Sequence, residues 1–109
     1  MIDILRSEFL TVKDRQKEKL DGSYTCYLLE KGTDKILKKC GEECSEMIIA
    51  AKNKDKEELT LEISDLLYHI AVLMANEGIS IEMLEDEFIK RHQKDKNLKQ
   101  FHEVDKNTW

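Results

Sequence analysis

The chain has 109 residues, 38% of them charged and 40% apolar; that length suits one domain over 1–109 and would leave two domains without a core apiece. With no proline and four glycines, turn-makers are too few for an all-β sandwich, whereas the Lys, Glu and Leu content suits long helices, so the expected fold is all-α, an antiparallel bundle of four to five helices. The net charge of −5, with Lys and Arg scattered along the chain, excludes a nucleic-acid footprint, and no apolar run approaches the ~20 residues of a membrane span.

Ile2, Leu5, Phe9 and Val12 recur at helical spacing and predict a first amphipathic helix over about 2–19, ended by Leu20-Asp21-Gly22-Ser23. A short second helix is expected from Tyr24 to Lys31, closed by Gly32. Thr33 or Asp34 then offers a cap for a third helix to about Asn53, with Ile36, Leu37, Cys40, Cys44, Met47, Ile48 and Ala51 as its apolar stripe. The three cysteines are an odd number for a disulfide framework and read as reduced thiols packed in the interior, on a chain whose N-terminus lacks a signal sequence and points to the cytoplasm.

Asp55 and Glu58 form a possible capping box for a fourth helix that reaches Glu77 and is closed by Gly78. Leu59, Ile63, Leu66, Leu67, Ile70, Leu73 and Met74 define one apolar face, and Leu61, Tyr68 and Val72 a second on nearly the opposite side. A helix apolar on two faces needs cover on both, so a homodimer is expected, with the second face against the partner. Ser80 can cap a last helix through Leu84, Phe88 and Arg91, followed by a weakly packed tail after about residue 92.

Helix three carries Glu43 and Glu46, and helix four Glu62 and Asp65, two carboxylates three residues apart on each. A short turn makes the two helices antiparallel neighbours and lets the pairs converge into one site. Converging carboxylates need a counter-charge, and an all-oxygen set suits Mg²⁺, with Mn²⁺ as a substitute, better than Zn²⁺. His69, one turn past Asp65, is a candidate to support the ligands from behind or to transfer a proton. Either acidic pair alone would read as a solvated helix face; their pairing on consecutive helices raises the signal.

The Glu-x-x-Glu of 43–46, followed after fifteen residues by the Glu-x-x-Asp of 62–65, resembles the metal motif of all-α, MazG-like nucleotide pyrophosphohydrolases. With Gly22-Ser23-Tyr24-Thr25 upstream and the stretches 39–46 and 62–69, the likeness narrows to the phosphoribosyl-ATP pyrophosphohydrolase family, over about Phe9 to Arg91. The resemblance implies a hydrolase of histidine biosynthesis that converts 1-(5-phosphoribosyl)-ATP to 1-(5-phosphoribosyl)-AMP and pyrophosphate by attack of water between the α and β phosphates. It implies Glu43, Glu46, Glu62 and Asp65 as Mg²⁺ ligands, and catalytic work for Glu42, Glu43 and Glu46, with Glu42 orienting the water. Arg15, Lys39, Ser23, Tyr24 and Thr25 would meet the substrate, while Lys35 and Lys38 read rather as surface charges and Arg91 equally as a phosphate contact or a snorkelling residue. A house-cleaning nucleoside triphosphate pyrophosphohydrolase would use the same four carboxylates, and a non-enzymatic helical dimerisation module would leave them apart in solvent.

Overall fold

A computed structural model describes residues 2–93 and contains the five expected helices: α1 (Ile2–Lys17), α2 (Tyr24–Lys31), α3 (Thr33–Lys52), α4 (Lys56–Glu77) and α5 (Ile81–Gln93). The tail expected beyond about residue 92 falls outside this range. Among the described residues there is no strand, and no helix is long and apolar enough to cross a membrane. The chain divides into two compact units, one ending at Ile79 and one beginning at Ser80.

Local chemistry sets most boundaries. Ser23 Oγ accepts the backbone N–H of Cys26 to cap α2, and Asp55 accepts that of Glu58 to cap α4. Gly78 closes α4 in the left-handed conformation, φ 75° and ψ 29°. The expected Thr33 or Asp34 cap of α3 is not formed. Gly32 holds that position, at φ 88° and ψ −166°, and serves both as the end of α2 and the start of α3; this backbone region is essentially closed to residues with a side chain. Thr33 Oγ1 instead donates to Glu77 Oε2 at 2.8 Å and accepts from Asn76 Nδ2 at 3.0 Å.

In the first unit, α3 and α4 make the most extensive contact, α1 packs on α4, and α2 touches all three. The Thr33–Glu77 bond at one end and a hollow lined by Glu46, Ala50, Asp55 and Glu58 near the other show that α3 and α4 run antiparallel. Val12, Leu28, Ile36, Ala71 and Val72 are fully buried, with Leu5, Cys26, Ala50, Met74 and Ala75 close behind. Each large apolar side chain so placed contributes about 1.5–3 kcal/mol. In the second unit, α5 is capped by Ser80 Oγ, which accepts the N–H of Met83, and exposes Phe88 and Ile89.

Two expected faces are corrected. On α3 the line Ile36, Glu43, Ala50 turns inward, whereas Leu37, Cys44, Ile48 and Ala51 of the apolar stripe are exposed. Ile36 belongs to both lines and Cys40 and Met47 are half-buried, while Leu37, Cys44 and Ala51 lie about 100° round the helix from their buried neighbours Ile36, Glu43 and Ala50. Cys44 is therefore a surface thiol, against the expectation of an interior one, while Cys26 is buried and Cys40 half-buried, all three free. On α4, Val72 is fully buried within the chain and Tyr68 half-buried, leaving only Leu61 of that face open, at 55% exposure. Val72 points into the chain's own core and is unavailable to a partner.

Candidate active site

Glu43 and Glu46 lie one turn apart on α3, Glu62 and Asp65 one turn apart on α4, and the antiparallel seam brings them together. Carboxylate oxygens of Glu43, Glu62 and Asp65 lie within 4.8 Å of one another, and the Glu46 carboxylate stands close to Glu62. Glu43 and Glu62 are 7% and 3% exposed, and Oε2 of each is buried without a hydrogen-bond partner. The neighbouring Glu46 carboxylate, then burial, then the Glu43 carboxylate push the Glu62 carboxyl up to about 8. Like charges crowded in a buried seam favour a proton held on Glu62.

Orphaned buried oxygens are costly in a seam that could have been apolar. Oxygens bound to one Mg²⁺ lie about 3–4 Å apart, so three of these side chains already stand near ligand spacing. The donor set is oxygen-only, as Mg²⁺ and Mn²⁺ favour. The residues present therefore fit a hard divalent cation.

Lys39 and Glu42 flank the cluster and pair with each other, Nζ to Oε2 at 3.1 Å. That bond lowers the Glu42 carboxyl below its ordinary range and raises the Lys39 ammonium above its own. Lys35 and Lys38 add to the field on Glu42 from the surface. The i,i+3 spacing of Lys39 and Glu42 on one helix was a legible signal for this pair, although the sequence reading gave them separate tasks.

On the other side of the cluster, His69 is 5% exposed and its Nδ1 lies 2.8 Å from the backbone carbonyl of Asp65. Its Nε2 meets the Tyr24 hydroxyl at 3.3 Å. Thr25 Oγ1 hydrogen-bonds to the Tyr68 hydroxyl, and Tyr68 stands edge-on to His69, ring centroids 5.0 Å apart. Burial raises the Tyr24 phenol, opposed by nearby Lys39 and reinforced by Glu43, which sets Tyr24 in the electrostatic field of the cluster. No local pattern announces Tyr68 as the partner of Thr25, because the two are 43 residues apart.

The remaining expected contacts are dispersed. Ser23 caps α2 and lines a hollow of about 480 Å³ with Lys19, Tyr24 and Tyr27. Arg15 lines a second hollow of about 290 Å³ at the α1–α2 corner with Lys17 and Lys19; it shares no lining residue with the carboxylate cluster. Arg91 pairs with Glu87 on the surface of α5.

Fold and site together define an all-α protein with an acidic, oxygen-only centre suited to a divalent cation. Residues 8–92 match the family model described as phosphoribosyl-ATP pyrophosphohydrolase. The chain belongs to the phosphoribosyl-ATP pyrophosphohydrolase family, a family of hydrolases. It is 54% identical over 97 residues to a phosphoribosyl-ATP pyrophosphatase of Clostridium botulinum, covering 89% of this chain and 88% of that protein. A phosphoribosyl-ATP pyrophosphatase of Bacillus cytotoxicus is 49% identical over 105 residues, 96% of this chain and 98% of its own. The histidine biosynthesis bifunctional protein HisIE of Oceanobacillus iheyensis is 51% identical over 92 residues, 84% of this chain, which spans 43% of that longer protein.

Proposed function

We propose that the α3–α4 carboxylate cluster hydrolyses 1-(5-phosphoribosyl)-ATP to 1-(5-phosphoribosyl)-AMP and pyrophosphate, a step of histidine biosynthesis. The observation that carries this reading is the pair of buried, unpartnered oxygens on Glu43 and Glu62 beside Asp65, on a chain whose relatives are named for that substrate. Glu43, Glu46, Glu62 and Asp65 are the groups to hold Mg²⁺, or Mn²⁺ in its place. When bound, the ion supplies neutralising charge for the triphosphate and polarises the phosphoryl oxygens.

The chain's own residues do the rest. Glu62 gives up its proton as the site loads, restoring full carboxylate charge to the cluster. Lys39 exchanges its Glu42 partner for a phosphate oxygen, and Glu42 Oε2, so released, accepts a hydrogen bond from the attacking water and orients it. Ser23 and Arg15 offer a hydroxyl and a guanidinium to more distant parts of the substrate. A substrate built on ATP fits a cytoplasmic enzyme.

Pyrophosphate release, measured with phosphoribosyl-ATP beside a panel of ordinary nucleoside triphosphates in Mg²⁺ or Mn²⁺, tests the reading. Preference for phosphoribosyl-ATP is expected; preference for a common triphosphate would favour a house-cleaning role, and no hydrolysis of any would favour a non-enzymatic helical module. Association is a separate part of the proposal. Leu37, Ile48 and Ile63 are 48%, 59% and 41% exposed, and helical geometry sets the α3 and α4 stripes on the same side of the pair. A second copy of the chain covers this apolar side in the proposed homodimer. Ultracentrifugation of Ile48→Glu and Ile63→Lys tests it: both are expected to shift the dimer toward monomer, and a monomeric unaltered chain would overturn it.

A further inference from the structure

Two consecutive residues at the start of α2 bond to two consecutive residues in the middle of α4: Tyr24 to His69 and Thr25 to Tyr68. The first bond continues, through the His69 ring, to the carbonyl of Asp65 in the carboxylate cluster. A carbonyl only accepts, so Nδ1 carries the proton there, and Nε2 of the neutral ring is left to accept from the Tyr24 hydroxyl. Two of the three hydroxyls expected to meet the substrate, those of Tyr24 and Thr25, are thus engaged by α4. Tyr24 also stacks between Tyr27 and Tyr68, with centroids 6.1 and 6.3 Å away, which fixes the ring that presents the hydroxyl.

We propose that Tyr24, Thr25, Tyr68 and His69 are positioning residues that clamp the first turn of α2 onto the carboxylate stretch of α4. The inference rests on the cluster being the hydrolytic site. Ser23, next in the chain to Tyr24, lines the neighbouring hollow. The clamp makes the segment facing that hollow and the segment holding the cation move as one body, so substrate bound to the first is delivered in fixed register to the second. Near-attack geometry is sensitive to shifts of about 1 Å, and two adjacent bonds resist both sliding and rotation of α2 where one would resist only sliding.

The test is a pair of double-mutant cycles, read as kcat and KM for phosphoribosyl-ATP and as Mn²⁺ affinity by electron paramagnetic resonance without substrate. Tyr24→Phe and Thr25→Val, each removing one bond, are expected to lower kcat about two- to tenfold, the worth of one hydrogen bond. Because either bond alone keeps α2 seated, the double variant should fall at least about tenfold below the product of the singles. Thr25→Val with Tyr68→Phe removes a single bond twice over and should be no worse than either alone. Mn²⁺ affinity should stay within about twofold throughout, since the ligands sit on α3 and α4.

Raised KM at unchanged kcat would put the hydroxyls on the substrate and overturn the clamp; so would a double variant equal to the product, or a loss that tracks Mn²⁺ affinity. Long-range proton–nitrogen NMR, with His69 assigned by comparison with His69→Gln, should find the Nδ1–H tautomer, and the Nε2–H tautomer would also overturn it. An unaltered chain inactive on phosphoribosyl-ATP would count against the functional reading, and the ring tautomer would still decide the clamp.

Discussion

Ile36 on α3 and Val72 on α4 are fully buried, and two to three turns along the same two helices Glu43 and Glu62 are buried almost as deeply. The first pair stabilises the contact by removing apolar surface from water. The second desolvates carboxylate oxygens, one on each residue, that have no hydrogen-bond partner among the described residues. One helix pair therefore spends its apolar region to hold an acidic region in a geometry that would not form by itself. Stability and function are separated by about 10–15 Å along a single interface, and substitutions in the two regions should move opposite quantities.

The largest expected effect is on activity. Glu46→Gln and Asp65→Asn keep shape and remove ligand charge, and each should lower pyrophosphate release at least ~100-fold, since even groups behind metal ligands are worth 10–100-fold. Their melting temperatures should stay near that of the unaltered chain. Full activity in either, or in excess chelator, would remove that residue or the cation from the mechanism. Next in size, Ile36→Ala should destabilise the fold by about 2–5 kcal/mol in urea titration, while the folded fraction retains its activity per molecule. A matching loss of activity in the folded fraction would show that the two regions are not separable.

A third expectation concerns pH. The Glu62 carboxyl titrates near 4.5 when unperturbed and near 8 in the folded chain, so between these values the folded state holds the extra proton. Its contribution to stability is full below about pH 4.5 and is lost as pH rises toward about 8. Thermal melts of the cation-free chain should show this decline, Glu62→Gln should lack it, and Mn²⁺ should offset it most at the high end. A Glu62→Gln profile parallel to that of the unaltered chain would refute the assignment. The smallest effect is at the turn that brings the two helices together: Asp55→Ala should cost about 1 kcal/mol of stability and leave kcat unchanged. A larger fall in kcat would mean that the cap also sets the carboxylate register.

The helices and most of their ends, the cap of α3 excepted, were legible because the signals are local. Ser23, Asp55, Gly78 and Ser80 act on backbone groups within three or four residues of themselves, so one sequence suffices to find them. The convergence of Glu43 and Glu46 with Glu62 and Asp65 was legible for a related reason: helical spacing plus a short turn leaves few other arrangements. The inward face of α3 was legible only at Ile36. Apolar periodicity identifies a stripe without naming its neighbour, and here the inner line carries Glu43 in place of an apolar residue, so the pattern pointed about a quarter-turn away. Val72 was misassigned for the same reason, because two apolar faces on α4 do not reveal which one the chain itself covers. The bonds of Tyr24 to His69 and Thr25 to Tyr68 join residues 45 and 43 apart, and no local rule reaches that far.

Gly32 joins α2 to α3 without a loop, and the next residue, Thr33, is bonded to Glu77. Tyr24, at the other end of α2, is bonded to His69. Between these anchorages the chain advances nine residues from Tyr24 to Thr33 and eight from His69 to Glu77, the latter a rise of about 12 Å along α4. Helix α2 is thus a strut tied to α4 by Tyr24 at its start and by Thr33, the residue after Gly32, just past its end. One inserted residue would add about 1.5 Å and turn the far end by about 100°, so no insertion or deletion within α2 can keep both anchorages. The segment behaves as a gauge block whose length is part of the active site's specification, and length variation among related chains should be excluded from it and confined to the turn before Ser23.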